Sequence, residues 1–391
     1  MHESFFFVGG WVQPGVLKPA YRCYLSGVNS FTPNLRYIRL YTPSPPLPQC
    51  MHVMHRHREF TDDHLVLGKV ANFPLKTQYE PQHAGVYSTA ANVHAGQNKL
   101  LMSEIQFMLN VHLQRARAYP DVPVDSPFLC VYAGACPCHH LGQLMQMFPN
   151  VVFVVVDPAF TGAGQSSSIA EWDTERVVVW AQHFGTHTID ILTSWMGARA
   201  FKCGTAQLQS IPSTYFPYFE DLDQLSLAGF DSREDVLFIS DVRVDARDEA
   251  SITSDMDMQA LWFHQMQATS GLLKFRLPYV TAEWLADSRH HHFKRVYLEG
   301  AIQMPMWGPR STTECRLQVE RGCDVASYDP VLHERQLAGF NRYDRQASYC
   351  YQGHPFDSFD AAATAVLASR FRAHTRMVAD QAQRRAVSPA M

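Results

Sequence analysis

Residues 129–160 limit most strongly what this chain can fold into. Their sequence, LCVYAGACPCHHLGQLMQMFPNVVFVVVDPAF, contains an apolar run, a turn at Gly134, a helical pattern from about residue 139 to 148, and a second apolar run that ends at Asp157. Two buried strands joined by a helix are typical of a βαβ unit in a parallel sheet. Strands and helical patterns alternate further along the chain, so the sequence predicts a doubly wound α/β sheet.

The predicted βαβ unit also suggests where a ligand would bind. In such sheets, ligands bind beyond the carboxyl ends of the strands, beside the point where the strand order reverses. Gly134 would let the backbone approach a ligand closely, and Asp157 could accept hydrogen bonds from both hydroxyls of a ribose. The unit therefore suggests an adenosine-type cofactor, although most βαβ units bind no ligand.

Composition restricts the class of protein. The 391 residues, of which 46% are hydrophobic, suffice for one large domain with additions or for two smaller ones. The net charge of -4 provides no global basic field, so any contact with nucleic acid must come from a local patch or pocket. Nine cysteines without framework spacing predict reduced thiols in an intracellular protein, and no apolar run approaches the length of a membrane span.

The predicted elements suggest three parts, namely an N-terminal extension (1–75), an α/β domain (76–345) and a C-terminal helical extension (346–391). Beyond the first βαβ unit, strands are predicted at residues 176–180, 236–240, 272–277, 296–304 and 314–319, and helices at 99–117, 187–198, 254–269 and 360–374.

Charged residues inside or beside the predicted strands are candidates for chemistry. Lys274 interrupts an apolar strand, Asp241 follows one, and Glu314 opens one, with Arg316 two places later on the same face. A buried lysine is costly unless it is paired, so we expect Asp241 or Glu314 beside Lys274. The pattern alone fits a structural ion pair and a catalytic group equally. Lys99 falls in a predicted first helical turn, where a cation is unfavourable, and this hints at function.

No metal site is predicted. The CPCHH stretch at residues 136–140 lacks zinc-ligand spacing, so packing around a turn accounts for it better. The histidines at 52, 55 and 57 and at 290–292 are interpreted as parts of solvated loops.

Short matches in a fixed order across residues 79–330 resemble the poxvirus-type family of cap-specific mRNA 2′-O-methyltransferases, which also serve as poly(A) polymerase regulatory subunits, and its trypanosomatid relatives. The matching stretches are Tyr79-Glu80-Pro81, Gly96-Gln97 with Lys99-Leu100-Leu101, VYAGACPCHHL at 131–141, Ile239-Ser240-Asp241-Val242-Arg243, Leu273-Lys274 with Arg276 and Pro278-Tyr279, Glu314 with Arg316-Leu317, and Tyr328-Asp329.

The resemblance implies a Rossmann-like fold, an S-adenosylmethionine (SAM) cofactor and methyl transfer to a ribose 2′-hydroxyl near the 7-methylguanosine cap of mRNA. The family's Lys-Asp-Lys-Glu tetrad falls on Lys99, Asp241, Lys274 and Glu314. A ribose hydroxyl is a poor nucleophile, so a base must take its proton while the oxygen faces the methyl group. We expect Lys274 to be this base, Lys99 to hold the 2′-oxygen, and the two carboxylates to orient both lysines.

The resemblance also assigns binding residues. For SAM these are Gln97, Tyr132, Gly134, Pro137, Asp157 and Val242. For the cap they are Tyr79 and Tyr279, on the two faces of the cationic guanine, and Asp329, at its edge. Arg243 and Arg316 are candidates for RNA phosphates. Cys138 stands where the family has a second glycine, which adds a Cβ beside the cofactor.

Two other hypotheses compete with the cap enzyme. The first is a non-catalytic RNA-binding or poly(A) polymerase accessory subunit, which would be expected to lose tetrad members, whereas none is lost. The second is a methyltransferase that acts on a base nitrogen, which would not need two lysines and two carboxylates. Analogy with the trypanosomatid enzymes favours the second transcribed nucleotide and a nuclear location, whereas a viral origin would favour the cytoplasm.

Overall fold

A computed structural model describes residues 23–27, 36–40, 57–69, 90–161, 175–200, 212–227, 230, 235–246, 248–279, 294–309 and 312–387. These residues form a mixed α/β structure around a seven-stranded, mostly parallel sheet. The helices are α1 (Ala90–Ala118), α2 (Leu141–Met147), α3 (Thr186–Ala200), α4 (Phe216–Asp223), α5 (Glu249–Gln265), α6 (Pro330–Gly339) and α7 (Phe359–Val387). Among these described helices, none combines the length and the apolar character that a membrane span requires.

The strands belong to four sheets. They are β1 (Cys23–Gly27), β2 (Arg36–Leu40), β3 (Arg58–Glu59), β4 (Phe128–Ala133), β5 (Val151–Val156), β6 (Val177–Trp180), β7 (Val236–Ser240), β8 (Ser270–Phe275), β9 (Arg295–Leu298), β10 (Ala301–Gln303), β11 (Cys315–Glu320), β12 (Val325–Tyr328), β13 (Tyr349–Tyr351) and β14 (His354–Phe356). The order in the largest sheet is β10-β11-β8-β7-β4-β5-β6, and the smaller sheets are β1-β2, β12-β9 and β14-β13-β3.

The chain divides into two compact units, each built from distant segments. The first comprises Met1–Leu109, Met304–Thr313 and Arg335–Arg376, and the second comprises Asn110–Gln303, Glu314–Glu334 and Met377–Met391. The three parts predicted above follow sequence order, whereas each unit combines residues from several places along the chain.

The second unit contains the central sheet and the predicted βαβ unit. All six side chains of both β4 and β5 are buried, as expected for parallel strands that are covered on both faces. Strands β8, β7, β4, β5 and β6 run parallel, whereas β11 is antiparallel to β8 and β10 to β11. The predictions of this βαβ unit and of a mostly parallel α/β sheet are confirmed.

The strand order reverses between β4 and β7. From β4 the chain builds β5 and then β6 to one side, after which it returns to place β7 and then β8 on the other side. In a doubly wound sheet, ligands bind at such a reversal, outside the carboxyl ends of the strands. The residues that follow β4 and β7 therefore border the expected ligand crevice.

The first unit is held by an aromatic cluster and by a buried ion pair. Phe60 packs edge-on against Tyr349 and Phe359, with ring centroids 5.2 Å and 5.3 Å apart. The buried Arg345 donates to Asp360 at 2.9 Å, at the start of α7. Asp360 also accepts from the N–H of Trp307 at 2.9 Å, and Arg345 donates to the carbonyl of Pro309 at 3.3 Å, so the start of α7 is attached to residues 304–309 of the same unit.

Three predicted boundaries were wrong. Helix α1 begins at Ala90, nine residues before Lys99, and α7 extends to Val387 instead of ending near residue 374. The strand expected at 296–304 is two strands in different sheets, β9 and β10, because the chain changes direction between them at Gly300, which lies against the carbonyl of Gln318.

Candidate active site at the carboxyl edge of the sheet

The turn after β4 lies directly against the chain that follows β7. Gly134 has a φ of +72°, and a Cβ at this position would lie 2.7 Å from the nitrogen of Val242. The N–H of Asp241 donates to the carbonyl of Ala133 at 2.9 Å, which fixes the two strand ends together. The close approach expected at Gly134 is therefore an approach to this backbone, which borders the crevice.

The carboxylate of Asp157 holds the turn after β4 in place. Its Oδ2 accepts from the N–H of Cys136 at 3.1 Å, and its Oδ1 accepts from the N–H of Ala159 at 2.8 Å. Each carboxylate oxygen can accept a further hydrogen bond, so this half-buried side chain can still receive a hydroxyl. Asp157 thus combines a structural task with the capacity for the predicted cofactor contact.

Other cofactor candidates in the second unit lie on or beside β4. Tyr132 is fully buried within the strand, and Pro137 is half-buried in the turn that follows. Cys138 is fully buried and has a φ of +51°, a conformation that favours glycine. Cys138 thus has a backbone conformation that favours glycine, and its side chain packs inside the protein.

Lys274, Asp241 and Glu314 come together where β7, β8 and β11 meet. The Nζ of Lys274 lies 2.9 Å from Oδ1 of Asp241 and 3.6 Å from Oε2 of Glu314. It also donates to the main-chain carbonyl of Asp241 at 3.3 Å. Since Lys274 is only 9% exposed, the expectation that a buried lysine has a carboxylate partner here is confirmed for both candidates.

Two arginines share the same carboxylates. Arg316, the Cα partner of Lys274 across β11 and β8, lies 2.5 Å from Oδ1 of Asp241 and 3.4 Å from Oε1 of Glu314. Arg243 lies 3.9 Å from Oε2 of Glu314 and 3.5 Å from Oδ2 of Asp255. Three carboxylates, those of Asp241, Asp255 and Glu314, therefore pair with three cations.

These ion pairs change the interpretation of the two arginines as phosphate ligands. The side chain of Arg316 is only 3% exposed and its guanidinium is bound to two carboxylates, which favours a positioning role inside the protein. Arg243 is also largely buried and ion-paired, so an RNA phosphate could reach it only at the margin of its side chain. The RNA contact of Arg243 stays a prediction.

Asp241 is ionised in this surrounding. Burial acts to raise its pKa, but the positive charges of Lys274 and Arg316 outweigh burial and hold the pKa of Asp241 below its usual range. Neighbouring positive charges stabilise a carboxylate in this way because they favour its charged form. Asp241 is therefore an ionised hydrogen-bond acceptor beside Lys274 at neutral pH.

Lys99 and Gln97 belong to the first unit. Lys99 is 6% exposed, and its Cδ would lie 3.0 Å from a Cβ on Gly308. The helix-dipole argument for Lys99 was wrong because α1 begins at Ala90, which places the lysine in the helix interior. Gln97 is half-buried on the same helix. The predicted catalytic residues that the structure brings together are therefore Asp241, Lys274 and Glu314, all of the second unit.

The described cap candidates are Tyr279 and Asp329; Tyr79 lies outside the described residues. Tyr279 is 36% exposed, and the guanidinium carbon of Arg276 lies 4.2 Å from the centre of its ring. Glu249 accepts from the N–H of Tyr279 at 2.9 Å and also pairs with Arg276. Asp329 caps α6 by accepting from the N–H of Leu332 at 2.9 Å.

Gln259, whose side chain bonds to the main chain of Lys274, was not predicted from the sequence. The pairing of Arg276 with Glu249 was not predicted either, although the spacing of Arg276 from Lys274 was a signal, since residues two apart on a strand share a face. In the described part of the chain, no cluster of three His, Cys, Asp or Glu side chains could hold a metal ion. The sequence matches no protein-family model, and no curated protein matches it.

Proposed function

We propose that this protein is a Rossmann-like, SAM-dependent methyltransferase that transfers a methyl group to a ribose 2′-hydroxyl near the cap of an mRNA. The observation that carries the proposal is the ammonium of Lys274, held by the carboxylates of Asp241 and Glu314 at 2.9 Å and 3.6 Å. This group lies at the carboxyl edge of a mostly parallel sheet, beside the reversal of strand order. Ligands of doubly wound sheets bind there.

The residues around the reversal fit SAM. The carboxylate of Asp157 follows β5 and keeps acceptor capacity for ribose hydroxyls. Gly134 and Val242 present backbone where β4 and β7 end, and Pro137 and the strand residue Tyr132 complete the set in the second unit. The family resemblance alone adds Gln97. SAM, when bound, supplies a methyl group on a positively charged sulfur. The sulfur is a good leaving group, so it needs no acid.

Lys274 acts as the base in this proposal. Its Nζ, present in this step as the neutral amine, would take the proton of the 2′-hydroxyl as the methyl group passes from the sulfur to that oxygen. Asp241 and Glu314 fix the position of Nζ. The family resemblance gives Lys99 the task of holding the 2′-oxygen. Arg316 contributes by binding the same carboxylates, which holds them in place beside Lys274.

Tyr279 provides the proposed face for the cap. The guanidinium of Arg276 lies 4.2 Å from the centre of this ring, so the ring already stacks with a planar cation. Guanine becomes cationic when it is methylated at N7, so it is a ligand of the same kind. Tyr79 would cover its other face and Asp329 would accept its edge N–H groups, as the family resemblance implies.

Incubation with capped RNA and SAM labelled in its methyl group tests the proposal. We expect label on a ribose near the cap with the wild-type protein, loss of that label with Lys274→Ala, and no change with Lys69→Ala, which removes an exposed lysine. RNA binding without any transfer would instead favour an accessory subunit. Label on a base would favour a methyltransferase of the other class, and both results would contradict the proposal.

A further inference from the structure

The side chain of Gln259 binds the main chain of Lys274 at both of its polar groups. Its Nε2 donates to the carbonyl of Lys274 at 2.6 Å, and its Oε1 accepts from the N–H of Lys274 at 3.2 Å. Gln259 is 1% exposed and lies on α5, the helix that connects β7 to β8. One buried side-chain amide therefore satisfies both main-chain hydrogen-bonding groups of Lys274.

The main chain of Lys274 needs this amide because the hydrogen-bonded pairing of β8 with β7 ends just before it. The pairing of β7 with β8 ends at Ser240 and Leu273, one residue before Lys274. In a strand, the N–H and the C=O of one residue point to the same side, so both groups of Lys274 need partners together. Buried main-chain groups without partners are costly, and Gln259 supplies what β7 no longer provides.

The position of Lys274 depends on contacts from both sides. Across β11 it pairs with Arg316, and its Nζ reaches Asp241 and Glu314. These contacts hold the tip of the side chain and one edge of the strand. Gln259 binds the main-chain N–H and C=O of Lys274 on the other edge of the strand. It therefore fixes the Cα from which the side chain extends to Nζ.

We propose that Gln259 is a positioning residue for the proposed reaction, acting through the main chain of Lys274. The inference rests on the proposed function for its catalytic consequence, but not for its physical basis. Without this amide, the backbone of Lys274 can shift at the end of its ladder, and Nζ loses its fixed distance from the two carboxylates.

The first test needs no enzymatic activity. The full-length protein is treated with a water-soluble acetylating reagent, and the rate of Lys274 modification is followed by peptide mass spectrometry across a range of pH. We expect Gln259→Met to raise this rate about 10-fold, since a loosened ion pair exposes the amine. The control Asn150→Ala removes another amide that donates to a main-chain carbonyl, that of Ser126 at 2.9 Å, and should leave the Lys274 rate unchanged.

The second test uses methyl transfer to capped RNA. For Gln259→Met we expect kcat to fall about 10-fold to 100-fold with little change in either KM, because misplacement of a base affects the transition state. Gln259→Glu keeps the acceptor for the N–H of Lys274 and should lie between the wild type and Gln259→Met. Failure of the wild type to transfer methyl would refute the proposed function, whereas the acetylation rates would still judge Gln259.

The proposal about Gln259 is overturned if folded Gln259→Met, verified by circular dichroism, modifies Lys274 at the wild-type rate. It is also overturned if Asn150→Ala raises that rate equally, since the effect would then reflect general loosening. If Gln259→Met does not fold, the acetylation rate of Gln259→Glu decides by the same criterion.

Discussion

The Nζ of Lys274 lies 2.9 Å from Oδ1 of Asp241, although the two residues are 33 positions apart in the sequence. The contact joins the ends of two neighbouring parallel strands, β7 and β8. Because parallel strands carry their carboxyl ends at the same edge, this ion pair opens onto the edge at which ligands of such sheets bind. If Lys274 forms only a structural ion pair, its replacement should affect the reaction differently than if it is a catalytic base.

Lys274→Arg should separate these two roles. The substitution keeps a positive charge for Asp241 and Glu314, but a guanidinium does not lose its proton near neutral pH and cannot act as a base. We expect both Lys274→Arg and Lys274→Ala to lower kcat by about 10²-fold to 10⁴-fold, the usual contribution of a general base. Single-turnover transfer to capped RNA measures the rate. Full activity of Lys274→Arg would show that the pair is only structural.

Arg316→Gln should affect catalysis and stability without changing the salt dependence of RNA binding. The side chain is 3% exposed and pairs with Asp241 and Glu314, so we expect that it does not bind an RNA phosphate. Breaking a buried pair costs about 3–5 kcal/mol, so the melting temperature should fall clearly.

RNA titrations at several salt concentrations test the Arg316 prediction. A lost phosphate contact would reduce the slope of log K against log [salt] by about 1, whereas a positioning residue leaves the slope unchanged. A reduced slope in folded Arg316→Gln would restore the original interpretation of this residue as an RNA ligand.

Much of the central sheet could be predicted because its strands are continuous apolar runs. The six-residue strands β4 and β5 contain no charged residue, which leaves few alternatives to a buried parallel pair. The partners of Lys274 could also be predicted, since a lysine inside an apolar strand needs a carboxylate. Both predictions follow from the cost of burying unpaired polar groups.

Other features depend on contacts that a sequence pattern does not contain. Gln259 interrupts no visible pattern, because a polar residue in a helix usually faces water, and only the end of the β7 ladder makes it necessary. The start of α1 at Ala90 was missed because its first turn contains no acidic residue, and Thr89, which precedes it in the sequence, was not interpreted as a helix start. The pairing of Arg316 with Asp241 joins two strands through their register, which short motifs do not fix.

Gly134→Ala should disturb the crevice more than a comparable glycine replacement elsewhere. Gly322 provides the control, since its φ of +77° resembles the +72° of Gly134 but a Cβ there would meet no atom within 4 Å. Both variants carry the cost of a left-handed conformation, about 1 kcal/mol. Only Gly134→Ala also pushes a Cβ against the nitrogen of Val242, which would lie 2.7 Å away.

We therefore expect Gly134→Ala to lose about 1–3 kcal/mol more in the free energy of unfolding than Gly322→Ala. Its affinity for SAM, measured by calorimetry, should fall because the ends of β4 and β7 separate. Equal effects of the two variants on SAM binding would argue against a cofactor site at this turn.

Asp241→Asn should weaken the dependence of stability on acid pH. The pKa of Asp241 is lower in the folded protein than its ordinary value of 3.8, despite burial, because of Lys274 and Arg316. The unfolded chain then binds more protons, so this contribution to stability is complete above pH 3.8 and is lost as the pH falls through the folded pKa. Chemical denaturation at pH values from 5 downwards measures the free energy of unfolding, which should fall less steeply with pH in Asp241→Asn than in the wild type. The same slope in both proteins would contradict this prediction.

Gly308→Ala offers a test of Lys99 that leaves its ammonium in the protein. A Cβ on Gly308 would lie 3.0 Å from Cδ of Lys99, which is tighter than an ordinary contact. The preceding residue cannot easily yield, because the main-chain N–H of Trp307 donates to Asp360 and its indole N–H donates to Thr364, both at 2.9 Å. The flexible stem of Lys99 must therefore move instead.

We expect Gly308→Ala to change the free energy of unfolding by less than about 1 kcal/mol, since the added methyl displaces only a side chain. Its kcat for methyl transfer should nevertheless fall about 10-fold, because the ammonium that is proposed to hold the 2′-oxygen moves with its stem. Gly185→Ala, where a Cβ would meet no atom within 4 Å, should leave kcat unchanged. Denaturant unfolding and single-turnover transfer measure the two quantities. A folded Gly308→Ala with the wild-type rate would show that the position of Lys99 does not limit the reaction, and the catalytic group would then reduce to Asp241, Lys274 and Glu314.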